Sequence, residues 1–189
     1  MCCRELPAEH DHLVDPAQHK LMCACTACAI LFDGQVNAKY KRVPRVVRFL
    51  QDLQMTEGQW DTLRVPIEMA FFLHSSPQAR MIALYPSPAG AIESLLPLDT
   101  WNELSEANPV LKGMEADVVA LLVNRVGSTT GSQPAEYYLA PIDECYKLVG
   151  LIRANWRGLS GGTEVWREIG AFFSELKRKS RIHSEAAHV

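Results

Sequence analysis

The spacing of hydrophobic residues changes along the chain, and each spacing predicts a different kind of element. Short apolar runs bounded by turn-forming residues lie at 65–73, 80–85 and 118–123, and such runs are typical of buried strands. Shorter runs at 91–96 and 137–139 extend the series. Because the runs are mostly joined by polar turns, we expect them to pair as a largely antiparallel sheet.

Helical spacing dominates the C-terminal part of the chain. Apolar residues recur at helical intervals from Ile142 to Trp156, and again from Val165 to Leu176. Both stripes predict helices whose apolar faces pack on a core. The final residues, 177–189, form a charged segment that we expect to be solvated and frayed.

Two shorter signals lie between the N-terminal region and the first long apolar run. Apolar residues from Val46 to Leu53 predict a short amphipathic helix after Pro44. Thr56 followed by Gln59 has the spacing of a capping box, which predicts the start of a further helix. Together these elements predict an α+β domain, with a largely antiparallel sheet and flanking helices.

The cysteines are concentrated at the N-terminus. Five of the six lie within the first 28 residues, namely Cys2, Cys3, Cys23, Cys25 and Cys28. In a reducing compartment such a cluster binds metal more often than it forms structural disulfides. The C-x-x-C pair of Cys25 and Cys28 can turn both thiolates toward one point, as tetrahedral zinc requires. The alternative is that these thiols are free and merely pack as small side chains.

The other half of such a metal site has to come from the beginning of the chain. Candidate donors there are Cys2, Cys3, His10 and His12. Residues 13–22 could form a turn and a strand that bring the chain back to them. Mixed Cys/His donors favour structural zinc and predict a zinc-ribbon-like knuckle, whereas thiolates alone would also suit an iron–sulfur cluster.

A polar stretch at 33–42, which contains an Asp-Gly turn signal, follows the cysteine cluster. This stretch predicts a boundary between a Cys/His metal-binding knuckle at 1–33 and an α+β main domain at 34–189.

Composition and charge narrow the class of protein. Of 189 residues, 48% are hydrophobic and 22% are charged, which is typical of a soluble globular protein. The net charge of −3 excludes a global basic field for nucleic acid. No apolar run reaches the ~18 residues of a membrane span, and the N-terminus has no hydrophobic signal-peptide core. We therefore expect a cytoplasmic protein without a membrane span or a nucleic-acid partner.

Catalytic signatures are weak in this sequence. There is no G-x-S-x-G elbow and no H-E-x-x-H pair, and the carboxylates are scattered, so no catalytic residue is predicted. A glycine-rich loop at 158–163 precedes the last predicted helix and could cradle an anion, aided by Arg153 and Arg157. The interpretation we favour is a tight turn with Thr163 as the N-cap residue.

Four runs carry a resemblance to a known family, and they span nearly the whole chain. They are EHDHLVD at 9–15, LMCACTACAILF at 21–32, YPSPAGAIESLLPLDTW at 85–101 and GLIRANWRGLSGGTEVW at 150–166. Together they resemble a bacterial family known as domain of unknown function 5947. Members of that family are typically encoded beside uptake nickel–iron hydrogenases and their maturation genes. The resemblance therefore implies an accessory role in making or operating such a hydrogenase.

The resemblance also implies a set of metal ligands. The family's N-terminus usually carries a C-x-x-C pair before a Glu-His-x-His run, and Cys2 matches the second cysteine of that pair. The first would lie upstream of Met1, so either the start codon was assigned too late or Cys3 substitutes for it. The metal ligands carried over are Cys2, Cys25 and Cys28, with Cys23 and His12 as further candidates.

Three functions follow as hypotheses. The first is a non-enzymatic zinc-binding accessory protein that contacts hydrogenase subunits or maturation proteins. The second is an iron–sulfur or metal-delivery protein for hydrogenase assembly. The third is a small enzyme that binds an anionic ligand at the 158–163 loop, although an acid, base or nucleophile constellation is missing from the sequence.

Overall fold

The part of the chain that the structure describes forms two β-sheets and five α-helices. The computed structural model describes residues 2, 5–33, 39–94, 98–128, 134–158 and 160–183. The first three strands form a small sheet of strand order β2-β1-β3, in which β1 pairs antiparallel with both neighbours. Its elements and the helix between them are β1 (Asp11–Asp15), β2 (Lys20–Ala24), α1 (Thr26–Phe32) and β3 (Lys41–Arg42).

A seven-stranded sheet carries the rest of the fold, with strand order β10-β4-β9-β8-β5-β6-β7. Its strands are β4 (Arg48–Leu50), β5 (Met69–Ser75), β6 (Arg80–Ser87), β7 (Gly90–Ser94), β8 (Val119–Asn124), β9 (Glu136–Pro141) and β10 (Arg181–His183). All pairings are antiparallel except that of β10 with β4, which is parallel. The predicted α+β class with a largely antiparallel sheet is confirmed.

Helices cover both faces of this sheet. On one face lie α4 (Ile142–Asn155) and α5 (Gly162–Lys179); on the other lie α2 (Glu57–Thr62), α3 (Leu98–Ala107) and a 3₁₀ turn (Pro109–Gly113). Adjacent residues of a strand point to opposite faces, so β5 supplies both cores. Phe71 packs toward α4, with its ring 6.1 Å from that of Tyr146, and Phe72 stacks on Trp101 of α3 at 5.7 Å.

Three local predictions have different outcomes. The capping box of Thr56 and Gln59 is confirmed at the start of α2. The helix predicted over 46–53 is wrong. Residues 48–50 of this segment form the strand β4, because they pair with β9 on one side and with β10 on the other. The charged end predicted to be frayed is wrong in part, since residues 177–179 complete α5 and residues 181–183 form β10. Neither pairing partner can be recognised from the local sequence.

The small sheet is docked on the main core. Val14 of β1 and Val43, just after β3, belong to the same buried cluster as the residues of α4 and α5. Lys41 forms an ion pair with Asp117 at 2.7 Å, and the Asp117 carboxylate also accepts hydrogen bonds from the hydroxyl and the N–H of Ser76. Although β3 follows residue 33, it completes the small sheet. The predicted division into 1–33 and 34–189 stays a prediction.

The pKa of Asp117 makes this docking contact sensitive to pH. Burial alone would raise the pKa of the carboxyl group, but the bonds from Lys41 and Ser76 outweigh burial and lower it below its ordinary value of 3.8. A carboxylate with a lowered pKa stabilises the fold above its unfolded-state pKa. That stabilisation is lost as the pH falls through the folded-state pKa.

We predict that Asp117→Asn lowers the free energy of unfolding at pH 7 by about 1.5–3 kcal/mol, the range for hydrogen bonds to charged groups. Asn tolerates the left-handed backbone of this position, where φ is 71°, so the loss reports the charge of the carboxylate and the acceptor oxygen that the amide lacks. Urea unfolding at pH 7 and at pH 3 checks the prediction. The difference between variant and wild type should shrink at pH 3, and an equal difference at both values would contradict it.

Candidate metal centre

The hairpin of β1 and β2 determines which donor side chains can meet. Its register pairs His12 with Cys23 and Leu13 with Met22. Side chains alternate between the faces of a strand, so Leu13 and Ala24 lie on one face, where they pack against α1. His12 and Cys23 lie on the opposite face, which is turned toward α4.

Asp11, which lies between His10 and His12 in the sequence, determines which face of β1 the two histidines occupy. Its carboxylate is buried and accepts from Arg42 at 2.9 Å, with Arg45 at 3.3 Å. Burial would raise the pKa of this carboxyl group, but the arginines and the hydroxyl of Thr26 lower it below its ordinary value. With Asp11 held on the face of α1, its two neighbours along the chain are directed to the other face.

Three thiols converge at the start of α1. Cys25 is the N-cap residue of this helix and Cys28 lies in its first turn, where it is buried. The Sγ atom of Cys2 lies 3.5 Å from that of Cys25, and the three sulfur atoms lie within 4.8 Å of one another. In a tetrahedral zinc–thiolate site the sulfur atoms are about 3.8 Å apart, because Zn–S bonds are about 2.3 Å long. The three-thiol group therefore fits a metal ion of this kind.

The neighbouring thiols also affect the chemistry of Cys28. A backbone hydrogen bond with Cys2 lowers the pKa of Cys28, but hydrogen bonds with the thiols of Cys2 and Cys25, together with desolvation, outweigh it and raise that pKa. A bound cation removes the cost of crowding thiolates, since metal ligation displaces the thiol protons. A tetrahedral ion needs a fourth donor, and Cys3, the adjacent thiol in the sequence, lies outside the described residues.

A second group of donors lies on the other face of the hairpin. One ligand atom each from His10, His12 and Cys23 lies within 4.8 Å of the other two. The imidazole rings of the two histidines meet edge to face, with their centroids 4.8 Å apart. His12 Nδ1 is 2.8 Å from the Oδ2 atom of Asp143, the second residue of α4, and His10 Nδ1 is 2.9 Å from the carbonyl oxygen of Pro7.

The predicted ligands thus divide into two groups. The structure brings Cys2, Cys25 and Cys28 together, and it places Cys23 and His12 with His10 instead. The division arises because β2 ends at Ala24, so Cys25 leaves the strand and its thiol joins the start of α1. The sequence offers too many donors for one tetrahedral ion, which leaves two possibilities open: either some cysteines do not bind metal, or a second ion is bound. The two-residue spacing of His10 and His12 was the signal for a shared strand face.

Cys145 and the glycine-rich loop, the other features singled out in the sequence, belong to the core and to a turn. Cys145 is fully buried in the core, where burial raises the pKa of its thiol well above the ordinary value. The glycine-rich loop is a tight turn: Gly161 has a φ of 86°, and an added Cβ atom would lie 2.7 Å from Val165. Arg157 donates to the carbonyl oxygens of Ala154 and Trp156. The predicted N-cap at Thr163 is wrong, because α5 begins at Gly162 with Gly161 as its N-cap.

The fold and the site define an α+β protein with an N-terminal cysteine-rich group that could hold a metal ion. The chain belongs to a family of unknown function, DUF5947, whose model matches residues 1–180. No curated protein and no solved structure matches the chain. Among the described residues, no helix has the length and apolar character needed to cross a membrane.

We predict that Cys25→Ser lowers the zinc content of the reduced protein by one ion per chain. Serine is a poor zinc ligand but a favourable N-cap residue, so the variant removes a donor while it supports the start of α1. Elemental analysis after dialysis against buffered zinc measures the loss. Cys145→Ala is the matched control and should retain the wild-type content. An undiminished zinc content in Cys25→Ser would contradict the assignment.

Proposed function

We propose that this chain is a non-enzymatic zinc-binding accessory protein that acts through contacts with other proteins, in the setting of nickel–iron hydrogenase maturation or operation. The observation that carries the proposal is the convergence of Cys2 with Cys25 and Cys28. Cys2 is distant in sequence from the other two, and a metal ion held by all three would cross-link the N-terminus to the start of α1.

Zinc supplies a fixed tetrahedral geometry and no redox chemistry, which suits a structural role. The segment that it would hold is short, and short segments seldom order themselves without a cross-link or a metal. Its own apolar cluster is small and consists of Leu13, Ala24, Cys28 and Ala29. The binding energy of the ion would therefore contribute directly to the order of this segment.

An exposed apolar tip supports contact with a partner protein. Ile30 and Leu31 follow Cys28 on α1, and they remain 62% and 61% exposed. Adjacent exposed apolar side chains form a patch that contact with a partner protein would remove from water. A zinc ion at the three-thiol group would hold this tip in one orientation. Hydrogenase subunits or maturation proteins are the partners that the family resemblance implies.

An iron–sulfur or metal-delivery role is the second candidate function. One observation favours this role. The three-thiol group consists of sulfur donors alone, and thiolates are the usual ligands of iron–sulfur clusters. The half-exposed or exposed positions of Cys2 and Cys25 would also allow a bound ion to be passed on.

Metal analysis with an absorption spectrum separates these two functions. We predict stoichiometric zinc and no visible absorption for protein purified anaerobically without a metal-binding tag, because zinc has a filled d shell. Stoichiometric iron with sulfur-to-iron charge-transfer bands would contradict the zinc proposal and favour the second candidate. A protein that acquires neither metal would contradict both.

Partner contact is tested by substitution of the apolar tip. We predict that Ile30→Lys combined with Leu31→Lys abolishes co-purification with the hydrogenase subunits or maturation proteins and leaves the zinc content unchanged. Ile182→Lys is the matched control, because Ile182 is 72% exposed on β10, an element outside the small sheet. If the wild type captures none of these proteins, the proposed role in hydrogenase maturation or operation is contradicted, and the proposal of bound zinc is unaffected.

A further inference from the structure

The geometry points to a second metal centre, separate from the three-thiol group, in which His10, His12 and Cys23 bind a divalent transition-metal ion with one coordination position open to a cavity. The proposal does not rest on the function proposed above, because it uses none of the three thiols that carry that function. Its ligands are two imidazoles and one thiolate, a donor set that suits zinc and other borderline ions.

The backbone places these three donors together before any metal binds. His12 and Cys23 are direct partners in the register of β1 and β2, and the side chains of such a pair stand next to each other on one face. His10 lies two residues before His12 and shares that face. One ligand atom of each residue lies within 4.8 Å of the others, so the three donors are grouped around one point.

Hydrogen bonds direct both imidazoles as in known metal sites. A carbonyl oxygen can only accept, so His10 donates from Nδ1 to Pro7, and the lone pair of its neutral ring lies on Nε2. Asp143 accepts from Nδ1 of His12 and leaves Nε2 available in the same way. A histidine held by a carboxylate or carbonyl at one nitrogen and by a metal at the other is the usual arrangement of metal-ligating histidines.

One atom of this group lacks the partner that a metal would supply. His10 Nε2 is buried and makes no hydrogen bond within the described part of the chain. A buried polar atom without a partner costs free energy, so such atoms are rare in folded proteins. A metal ion bound at this nitrogen removes the cost.

The surroundings indicate an open site and not a closed structural one. The three donors line a cavity of about 770 Å³ between the hairpin and the helices α4 and α5, whose wall also includes Asp143, Tyr146 and Lys179. Three protein ligands leave one position of a tetrahedron vacant, as in zinc sites that bind water or substrate. Here that position would face the cavity, so a small ligand could reach the ion.

Cobalt titration of the full chain, reduced and stripped of metal, tests the inference. The visible bands of Co²⁺ report its coordination, and the sulfur-to-cobalt charge-transfer band reports bound thiolates. We expect two ions per wild-type chain. Cys25→Ser should keep one ion with mixed nitrogen and sulfur ligation, and Cys23→Ser should keep one thiolate-rich ion. His19→Asn, a change of another histidine on the hairpin turn, is the control and should bind two.

Two further measurements test the surroundings of the ion in the Cys25→Ser background. Asp143→Asn should weaken cobalt binding about 10- to 100-fold and leave the charge-transfer band in place, because Asp143 positions His12 without touching the metal. Added imidazole should shift the visible bands, because it can occupy the open position. Bands that do not respond to imidazole would overturn the open position.

The outcomes separate this inference from the function proposed above. It is overturned if Cys25→Ser binds no cobalt, or if further substitution of Cys23 by serine leaves that cobalt unchanged. Loss of all cobalt in both single variants would show one shared centre and would also overturn it. If Cys23→Ser binds none and Cys25→Ser binds one, the second centre stands and the three-thiol centre fails.

Discussion

The buried carboxylate of Asp11 is the constraint on which the chemistry of the N-terminal segment depends. Its pairing with Arg42 and Arg45 holds one face of β1 against α1 and the arginines. Because the strand alternates, the same contact turns His10 and His12 to the opposite face. One face of β1 thereby presents His12 beside His10, and the other face packs against α1, whose first turn holds Cys28. The ion pairs are shielded from solvent on the carboxylate side, so the orientation of the strand is well determined.

The seven-stranded sheet and its helices support this arrangement. Asp143 holds His12 from the start of α4, a helix whose inner face is packed on the central sheet. Asp117 holds Lys41, the first residue of β3 and the register partner of Val14 on β1. Groups that bind ligands are positioned best when the elements behind them are locked by packing and hydrogen bonds. The large sheet with its two helical layers therefore acts as the platform of the N-terminal segment.

Much of the fold could be predicted from the sequence, because the central strands and the last two helices have clear periods. β5 and β8 are continuous apolar runs, and α4 and α5 carry long apolar stripes. β4 and β10 could not be predicted, since three-residue strands are too short to show a period and are defined by pairing across the fold.

In the candidate site, as in the fold, features that depend on nearby residues could be predicted, and features that depend on distant contacts could not. Clustering of cysteines and histidines indicated a metal-binding segment, and the C-x-x-C spacing indicated the pairing of Cys25 with Cys28. The separation of Cys23 from Cys25 depends on where β2 ends, and the role of Asp143 depends on a contact across 131 residues. Neither fact is present in the local sequence.

Together these groups of donors would give the small sheet two metal centres, one on each face. The most direct measurement is an anomalous difference map, recorded at the zinc absorption edge from crystals of the zinc-loaded chain. We expect two peaks, one among the sulfur atoms of Cys2, Cys25 and Cys28, and one between His10, His12 and Cys23. A single peak that joins Cys23 to the thiols of Cys25 and Cys28 would contradict it.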